Sequence, residues 1–473
     1  MVAATEAPRR TVLPAASPAV SARPRAGLLI DGLIGLGLFV LAAVVLLRAV
    51  ETVPFHGDES EWINAGRYFR YVFLDHDVTS QVWRPSWLNR DQPPLGRYAI
   101  GGIVWASGTD PTDVNKTYAW ERDYQANLRE GRVPEPVILL PVRRTMAVIG
   151  ALSIALLFVA GRLVGGTVTG AVAGLAAIGS PLLQTYFVQA RTEALLALFS
   201  SLGLVALLLA ARRYRATGTI PGVGWSVGPL LGLALTIKLT AAVAIVGAVG
   251  YATVLALTAL PTGRAQALRL LAWAASIGLL ATVVWVVVNP FLWADPVGRT
   301  WSMLAQQQSI MVEQGQHFGN PVDAALPERL LLMVLRSFVD NSTPAFDYGA
   351  APGSPPLIRR TFSALPTFFG VSAELVLAAL GSGALFWRVL GAWRSRGWPG
   401  AELALLVWLL AYVVGIGANL SLDWPRYYVP TAFYGSLLIG LGVDVVLSAA
   451  LRRRAIVRRA ASEPSAPAAE AAG

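Results

Sequence analysis

Apolar runs of about twenty residues, the length that crosses a bilayer, recur along the whole of this chain. They fall at 27–49, 138–160, 166–181, 191–211, 222–237, 239–259, 270–289, 364–386, 401–420 and 428–449. Backbone in lipid must satisfy its own hydrogen bonds, and runs of this length do so as helices. The expected fold is therefore all-α and integral to a membrane, a bundle of about ten spans. Charged residues make up 14% of the chain, where a soluble domain carries about a quarter. Cysteine is absent, which removes disulfides, zinc thiolates and thiol nucleophiles.

The formal charge of +10 would suit a nucleic-acid binder, but its placement does not. Arginines gather between apolar runs, as in "ARRYR" (211–215), "RVLGAWRSR" (388–396) and "LRRRAIVRR" (451–459). Short basic loops flanking spans mark the cytoplasmic side. With the N-terminus inside and the spans alternating, Arg162, Arg212, Arg213, Arg215, Arg264, Arg269, Arg388, Arg394, Arg396 and the cluster at 452–459 all fall inside. Residues 1–26, rich in Ala, Pro and Arg, read as a disordered cytoplasmic tail, and 451–473 as a second, basic one. Lys238 interrupts a long apolar run, and two short helices meeting near it fit better than one very long helix.

Two long segments, 50–136 and 290–363, then lie outside. The first holds 13 of the 28 acidic residues and too many aromatics for disorder. Trp62, Ala65, Gly66, Phe69, Val72 and Phe73 recur at helical spacing, which predicts a helix lying on the membrane surface.

Chemistry concentrates where spans meet this side. "PFHGDESEW" (54–62) sets His56, Asp58, Glu59 and Glu61 at the exit of the first span. Asp58 and Glu61 have capping-box spacing, and a helix N-cap accounts for them in part. Glu59 is left over, and a partly desolvated carboxylate at a membrane face can serve as a general base. In "QPPLG" (92–96) the prolines stop a helix and start another. Arg143 and Arg144 open the second span on the side where basic residues are unusual, and a phosphate would be a fitting partner. Arg191 and Glu193 begin another span, Lys238 stands in apolar sequence, and Arg426 again lies outside. His317 is one of three histidines. No His/Asp/Glu cluster has a dependable metal spacing, and no Gly-rich phosphate loop follows a strand.

Taken in chain order, these segments resemble the protein O-mannosyltransferases and their bacterial relatives. That family draws on a dolichyl- or polyprenyl-phosphate sugar and has the integral-membrane GT-C fold. Asp58-Glu59 matches its Asp-Glu pair in the first external loop. "QPPLG" matches its His/Lys-Pro-Pro-Leu-Gly element, with Gln92 in the basic position. Arg143 matches the arginine that opens the second span. "GSPLLQTYFVQARTEALLALF" (179–199) is similar to its Ser-Pro…Arg…Asp stretch, with Glu193 in place of Asp. "GLALTIKLTA" (232–241), "NPFLWADP" (289–296) and "RYYVP" (426–430) match later elements, the last bringing in Tyr427. The resemblance covers roughly 27–445 of a domain spanning 27–450. No large external domain follows the last run and no recognition module interrupts a later loop, as in the smaller bacterial enzymes, including aminoarabinose transferases acting on lipid.

The resemblance implies a glycosyltransferase of the plasma membrane, active on its non-cytoplasmic face. It would move a monosaccharide, with inversion, from a polyprenyl-phosphate carrier to a hydroxyl of a protein, lipid or glycan. Asp58 and Glu59 would be catalytic, and Arg143, Lys238 and Arg426 would hold the donor phosphate. His56, Gln92, Arg144, Arg191, Glu193, His317 and Tyr427 would support them. No cofactor is required by the sequence, and a divalent metal stays open. A transporter or lipid-linked-sugar flippase is the competing class, but no internal repeat is visible and the polar residues collect on one side.

Overall fold

The computed structural model describes residues 25–79, 81–261, 263–318, 322, 324–338, 373–395 and 400–462. Helix α1 (Arg25–Ala49) leads into a long loop bearing α2 (Gly57–Ala65), α3 (Arg67–Phe69), α4 (Trp87–Asp91), α5 (Leu95–Ala106) and α6 (Tyr124–Arg129). The bundle continues with α7 (Pro136–Val164), α8 (Thr167–Gly179), α9 (Pro181–Val188), α10 (Glu193–Thr217), α11 (Val227–Leu235), α12 (Ala242–Ala259) and α13 (Arg264–Val288). Helices α14 (Pro296–Phe318) and α15 (Leu326–Phe338) form the second loop region, and α16 (Ala373–Arg394), α17 (Ala401–Ala418) and α18 (Pro425–Ser462) complete the chain. Among the described residues there is no β-strand, as the apolar runs require.

Among the described residues, eight helices are long and apolar enough to cross a membrane: α1, α7, α10, α12 with its leading turn, α13, α16, α17 and α18. The helices α8 and α9, which meet at an angle of 71°, are together long and apolar enough for a ninth, as a broken span or a re-entrant loop. Pro181 starts α9 where its missing N–H is harmless, and the Ser180 hydroxyl accepts from the Leu183 amide at 3.4 Å. The tenth run is the shorter apolar helix Gly222–Leu235, which stops just before Lys238. Of the expected span at 364–386, residues 373–386 lie in α16, and 364–372 lie outside the described residues. Residues 451–462, expected in a disordered tail, continue α18 as helix. The N-terminal tail through residue 24 lies outside the described residues.

Ion pairs mark one end of the bundle. Asp31 accepts from Arg162 at 2.8 Å and from Thr167 at 2.6 Å, and Arg388 meets Asp444 at 3.2 Å. Arg215 lies 3.6 Å from Glu402 at the same end. The opposite end receives the loop after α1 and the first turns of α7, α10, α12 and α18.

The first loop is built onto that end. The predicted surface helix is divided into α2, α3 and a π-helical turn at Arg70–Leu74. It crosses α5 so closely that a Cβ on Gly101 would sit 2.0 Å from the Gly66 carbonyl oxygen. Phe69 and Phe73 turn onto Trp105 and Tyr98, with ring centroids 5.9 and 5.4 Å apart. The segment thus packs as a layer against α5, with Phe73 and Trp105 still exposed.

Candidate active site

Helix α2 begins one turn after α1 ends, and its start differs from the sequence expectation. His56, not Asp58, is the N-cap: its Nδ1 accepts from the Asp58 amide at 3.0 Å. Glu59 is the third residue of the capping box, accepting from the His56 amide at 3.0 Å. Starting the helix at Gly57 turns Glu59 inward and leaves Asp58 and Glu61, three residues apart, on the other face.

Glu59 is fully buried and saturated. Its carboxylate accepts from Arg143 Nε at 2.8 Å, from Arg143 Nη2 at 2.5 Å and from the Ala190 amide at 2.7 Å. The remaining Arg143 donors go to the Val50, Val53 and Pro54 carbonyls at 3.0, 2.8 and 3.1 Å. All five N–H groups of a guanidinium are thereby spent on protein acceptors. In this geometry the donors of Arg143 and the carboxylate of Glu59 are engaged by protein, unlike the phosphate and acceptor contacts expected of them. Together they tie the exit of α1 to α7 and to the start of α10. Arg144, beside it, is exposed and stands apart from this cluster.

Asp58 faces two arginines and a histidine. Arg191 Nη2 lies 2.7 Å and Arg426 Nη1 3.1 Å from the same oxygen, Oδ2, with His56 Nδ1 at 3.7 Å. Burial alone would raise the Asp58 carboxyl, but Arg191, His56, Arg426 and Lys238 together hold it well below the usual carboxylate range. Glu193, 3% exposed, accepts from Lys238 Nζ at 2.8 Å and sits 3.8 Å from Arg191 Nε. Lys238 stands in the break between α11 and α12, on extended backbone, which is how an ammonium reaches this level. Arg426, in the first turn of α18, stacks 4.4 Å over Trp424 and 5.3 Å over Tyr427. Its Nη2 donates to Gln314 of α14 at 3.4 Å.

The first loop braces this cluster. The turn at Gln92–Pro94 seats α5 so tightly that a Cβ on Gly96 would lie 2.5 Å from the Thr192 methyl. Gln92 itself is half-buried at the end of α4, adjoining the site through Asp91. Asp91 accepts from Gln307 of α14 at 2.8 Å, and burial raises its carboxyl, opposed by Arg97. Burial also pushes Glu61 up to about 7, with the Asp58 charge adding to it, although its carboxylate accepts from the Tyr118 amide at 3.0 Å. Sequence reasoning missed Gln307 and Gln314, which sit among ordinary helical positions with no local signal. His317 lies outside the described side chains.

Beside the cations lies a narrow cavity of about 30 Å³, whose lining includes Glu193, Lys238, Arg426 and Tyr427. Among the described residues, no group of three or more His, Asp or Glu side chains is placed to hold a metal ion. The cluster holds three cations against two carboxylates. Such an arrangement can bind an anion of low charge beside a carboxylate able to take a proton.

No protein-family model matches the chain, and no curated protein matches it. Its fold is similar to that of ArnT from Cupriavidus metallidurans bound to undecaprenyl phosphate. There the identity is 17% and the TM-score 0.45, covering 86% of this chain and 60% of that one. It is also similar to the oligosaccharyltransferase of Archaeoglobus fulgidus in the apo form, at 14% identity and TM-score 0.49, covering 90% and 52%. The S. cerevisiae protein O-mannosyltransferase complex bound to the sugar donor matches at 15% and 0.40, covering 55% of this chain and 33% of that one. The likeness is one of fold alone. The chain spans 60% or less of the length of these structures.

Proposed function

We propose that this protein is a membrane glycosyltransferase. It takes a monosaccharide from a polyprenyl-phosphate carrier and passes it to an acceptor hydroxyl on the non-cytoplasmic face. The observation that carries this reading is the single excess cation around Asp58. Among the described residues, ion pairs join Arg191, Lys238 and Arg426 to the carboxylates of Asp58 and Glu193, and Arg426 also acts on Asp91. Asp91 has Arg97 as a counter-charge, and Glu61 has Arg67. A half-buried site with one uncompensated cation favours a ligand of one negative charge, and a sugar phosphodiester carries one.

In this reading Lys238 and Arg426 hold the donor phosphate beside the cavity. The acceptor oxygen attacks C1 of the sugar from the side opposite the phosphate, so the new bond forms with inversion. The C1–O bond breaks and its electron pair goes to the carrier phosphate, whose growing charge the cations stabilise. The acceptor proton passes to Asp58, through Oδ1, since both arginines engage Oδ2. A carboxylate held this acidic is a weak base, but an incoming phosphate draws Arg426 and Lys238 away from it and raises its proton affinity. Arg143 and Glu59 are positioning residues here, and the support first sought from Arg143 comes from Arg191. The resemblance in residue order along the chain supports the same donor class.

The test is direct. Purified protein is given labelled nucleotide sugars and, separately, the matching polyprenyl-phosphate sugars, and release of the lipid phosphate is followed. The expected result is turnover with lipid-linked donors alone. Transfer from a nucleotide sugar in the absence of lipid carrier would remove the donor assignment.

A further inference from the structure

Helix α18 outruns the bundle that it belongs to. Its 38 residues make about 57 Å of helix at 1.5 Å per residue, against about 30 Å of hydrocarbon in a bilayer. Asp444, which meets Arg388 of α16 at 3.2 Å, makes its last ion pair among the described residues. From Ala449 to Arg458 every residue is exposed, with Leu451, Ile456 and Val457 at 64%, 68% and 61%. Five arginines stand in the eight residues from Arg452 to Arg459, and no acidic residue lies between Asp444 and Glu463. Among the described residues, Arg452, Arg453, Arg454 and Arg458 make no ion pair. Arg454 and Arg458, one turn apart, repel each other. A helix end that packs on nothing and repels itself needs anions around it.

Two observations say what surrounds it. The first is its level. A Cβ on Gly381 would lie 1.9 Å from the Leu438 carbonyl oxygen, so α16 and α18 run side by side. Arg388 meets Asp444 further along both helices, so they run in the same direction. Just past that pair, Trp387 and Trp393 of α16 are 65% and 46% exposed, and Arg394 stacks 5.6 Å over Trp387. Exposed tryptophans at the end of a span mark the headgroup level. Arg394 is about 9 Å past Arg388, and Arg452 to Arg454 are about 12–15 Å past Asp444. The arginines of α18 therefore begin at the headgroups. The second observation is angular. Arg452, Arg453 and Arg454 stand about 100° apart around the axis, with apolar Leu451, Ile456 and Val457 among the basic residues. A protein partner or a nucleic-acid groove is met by one charged face. Charge on all sides suits a medium that encloses the helix.

We propose that this arginine collar is a binding surface for anionic phospholipid headgroups, those of the leaflet through which α18 leaves the membrane. The inference is independent of the transferase reading, since it concerns the end of the molecule opposite Asp58. The guanidinium groups meet lipid phosphates, and the apolar side chains between them rest at the acyl boundary. An anionic lipid is favoured over a zwitterionic one because the cation of the zwitterion competes for its own phosphate.

The test reconstitutes the full-length protein in phosphatidylcholine vesicles doped with spin-labelled phosphatidylglycerol or spin-labelled phosphatidylcholine. The motionally restricted fraction of each label is compared. The wild type is expected to prefer phosphatidylglycerol by about 2- to 5-fold, an excess that high salt reduces. One variant combines Arg452→Gln, Arg453→Gln, Arg454→Gln and Arg458→Gln, and a second changes the same four residues to Lys. Glutamine forms helix nearly as well as arginine, so the first removes charge and keeps the helix. Its preference should fall to about half or less, while the Lys variant keeps that of the wild type. If the fourfold Gln variant does not assemble, Arg453→Gln with Arg458→Gln decides by a partial fall. Equal preference in the wild type and the Gln variants would assign the selectivity to the arginines of α10 and α16 and overturn the collar. Loss in the Lys variant as well would trace the effect to packing and also overturn it. A wild type without preference would overturn it too, and a labelled single-stranded RNA shifted by that protein would then give the collar to nucleic acid.

Discussion

Asp58 and Glu59 are neighbours with opposite tasks, and the difference lies in one turn of helix. Because His56 caps α2, Glu59 points into Arg143 and Asp58 toward Arg191 and Arg426. Asp58→Asn is expected to lower turnover by about two orders of magnitude or more. The same change frees two guanidinium groups, so binding of bare polyprenyl phosphate should tighten; weaker carrier binding would remove the cations from the donor site. Arg143→Lys supplies three donors where five are used, and breaking a buried pair costs about 3–5 kcal/mol. A large fall in Tm is expected, while exposed Arg144→Lys leaves it unmoved. Equal melting temperatures would return Arg143 to the list of ligand-binding candidates. Glu61 gives a pH signature. Its folded-state pKa of about 7 lies above the unfolded value, so its stabilising share is complete below about pH 4.5 and fades as pH rises through about 7. Melting curves between pH 5 and pH 8 should fall for the wild type and flatten in Glu61→Gln. The residue types of this cluster were legible in the sequence, because a carboxylate pair and arginines are rare at span ends. Which of them are saturated by protein was not legible, since that depends on carbonyls of Val50, Val53 and Pro54 that any sequence would supply.

At the scale of elements, periodicity exposed the helices but not their crossings. The run from Trp62 to Phe73 reads as one amphipathic helix; the structure divides it at Gly66, where α5 passes over it. The signal was present in "AIGGIV" (99–104), but a glycine pair in a helix does not say which partner it receives. A methyl group at Gly101 would meet the Gly66 carbonyl at 2.0 Å, whereas one at Gly102 meets only the edge of the Phe69 ring at 3.1 Å. Gly101→Ala is therefore expected to displace α2 and lose most activity with a clear fall in Tm, and Gly102→Ala to do far less. Similar losses at both positions would mean that α2 and α5 do not meet through Gly101. Helix α14 was not foreseen as part of the site at all. Gln307 and Gln314, seven residues apart on one face, reach Asp91 and Arg426 and so lay this helix across the opening.

At the scale of the whole molecule, chain direction places the site without reference to any membrane. α1 ends beside Asp58, and α10, α12 and α18 begin at Glu193, Lys238 and Arg426, all joined by ion pairs. The far ends of α10, α16 and α18 carry Arg212, Arg213 and Arg215, then Arg388 and Arg394, then Arg452, Arg453 and Arg454. Charge therefore separates by end: an acidic loop and the Asp58 cluster at one, and at the other a concentration of arginines, three of them paired with Asp31, Glu402 and Asp444. A transporter would gather its charges near the midplane, between halves that repeat; here they sit at helix starts. The arginine-rich end should face the cytoplasm, which puts Asp58 on the opposite side, where a lipid carrier can present a sugar. Counting supports the same orientation only if the bent pair and the short helix Gly222–Leu235 each return the chain to the site end, as the positions of Glu193 and Lys238 require. Two fusions decide it. A reporter that works only in the cytoplasm should be active after Ser462 and silent when inserted in the turn at 109–113. Activity at the loop alone would reverse the bundle, activity at both positions would change the number of crossings between them, and either would overturn the proposed donor face.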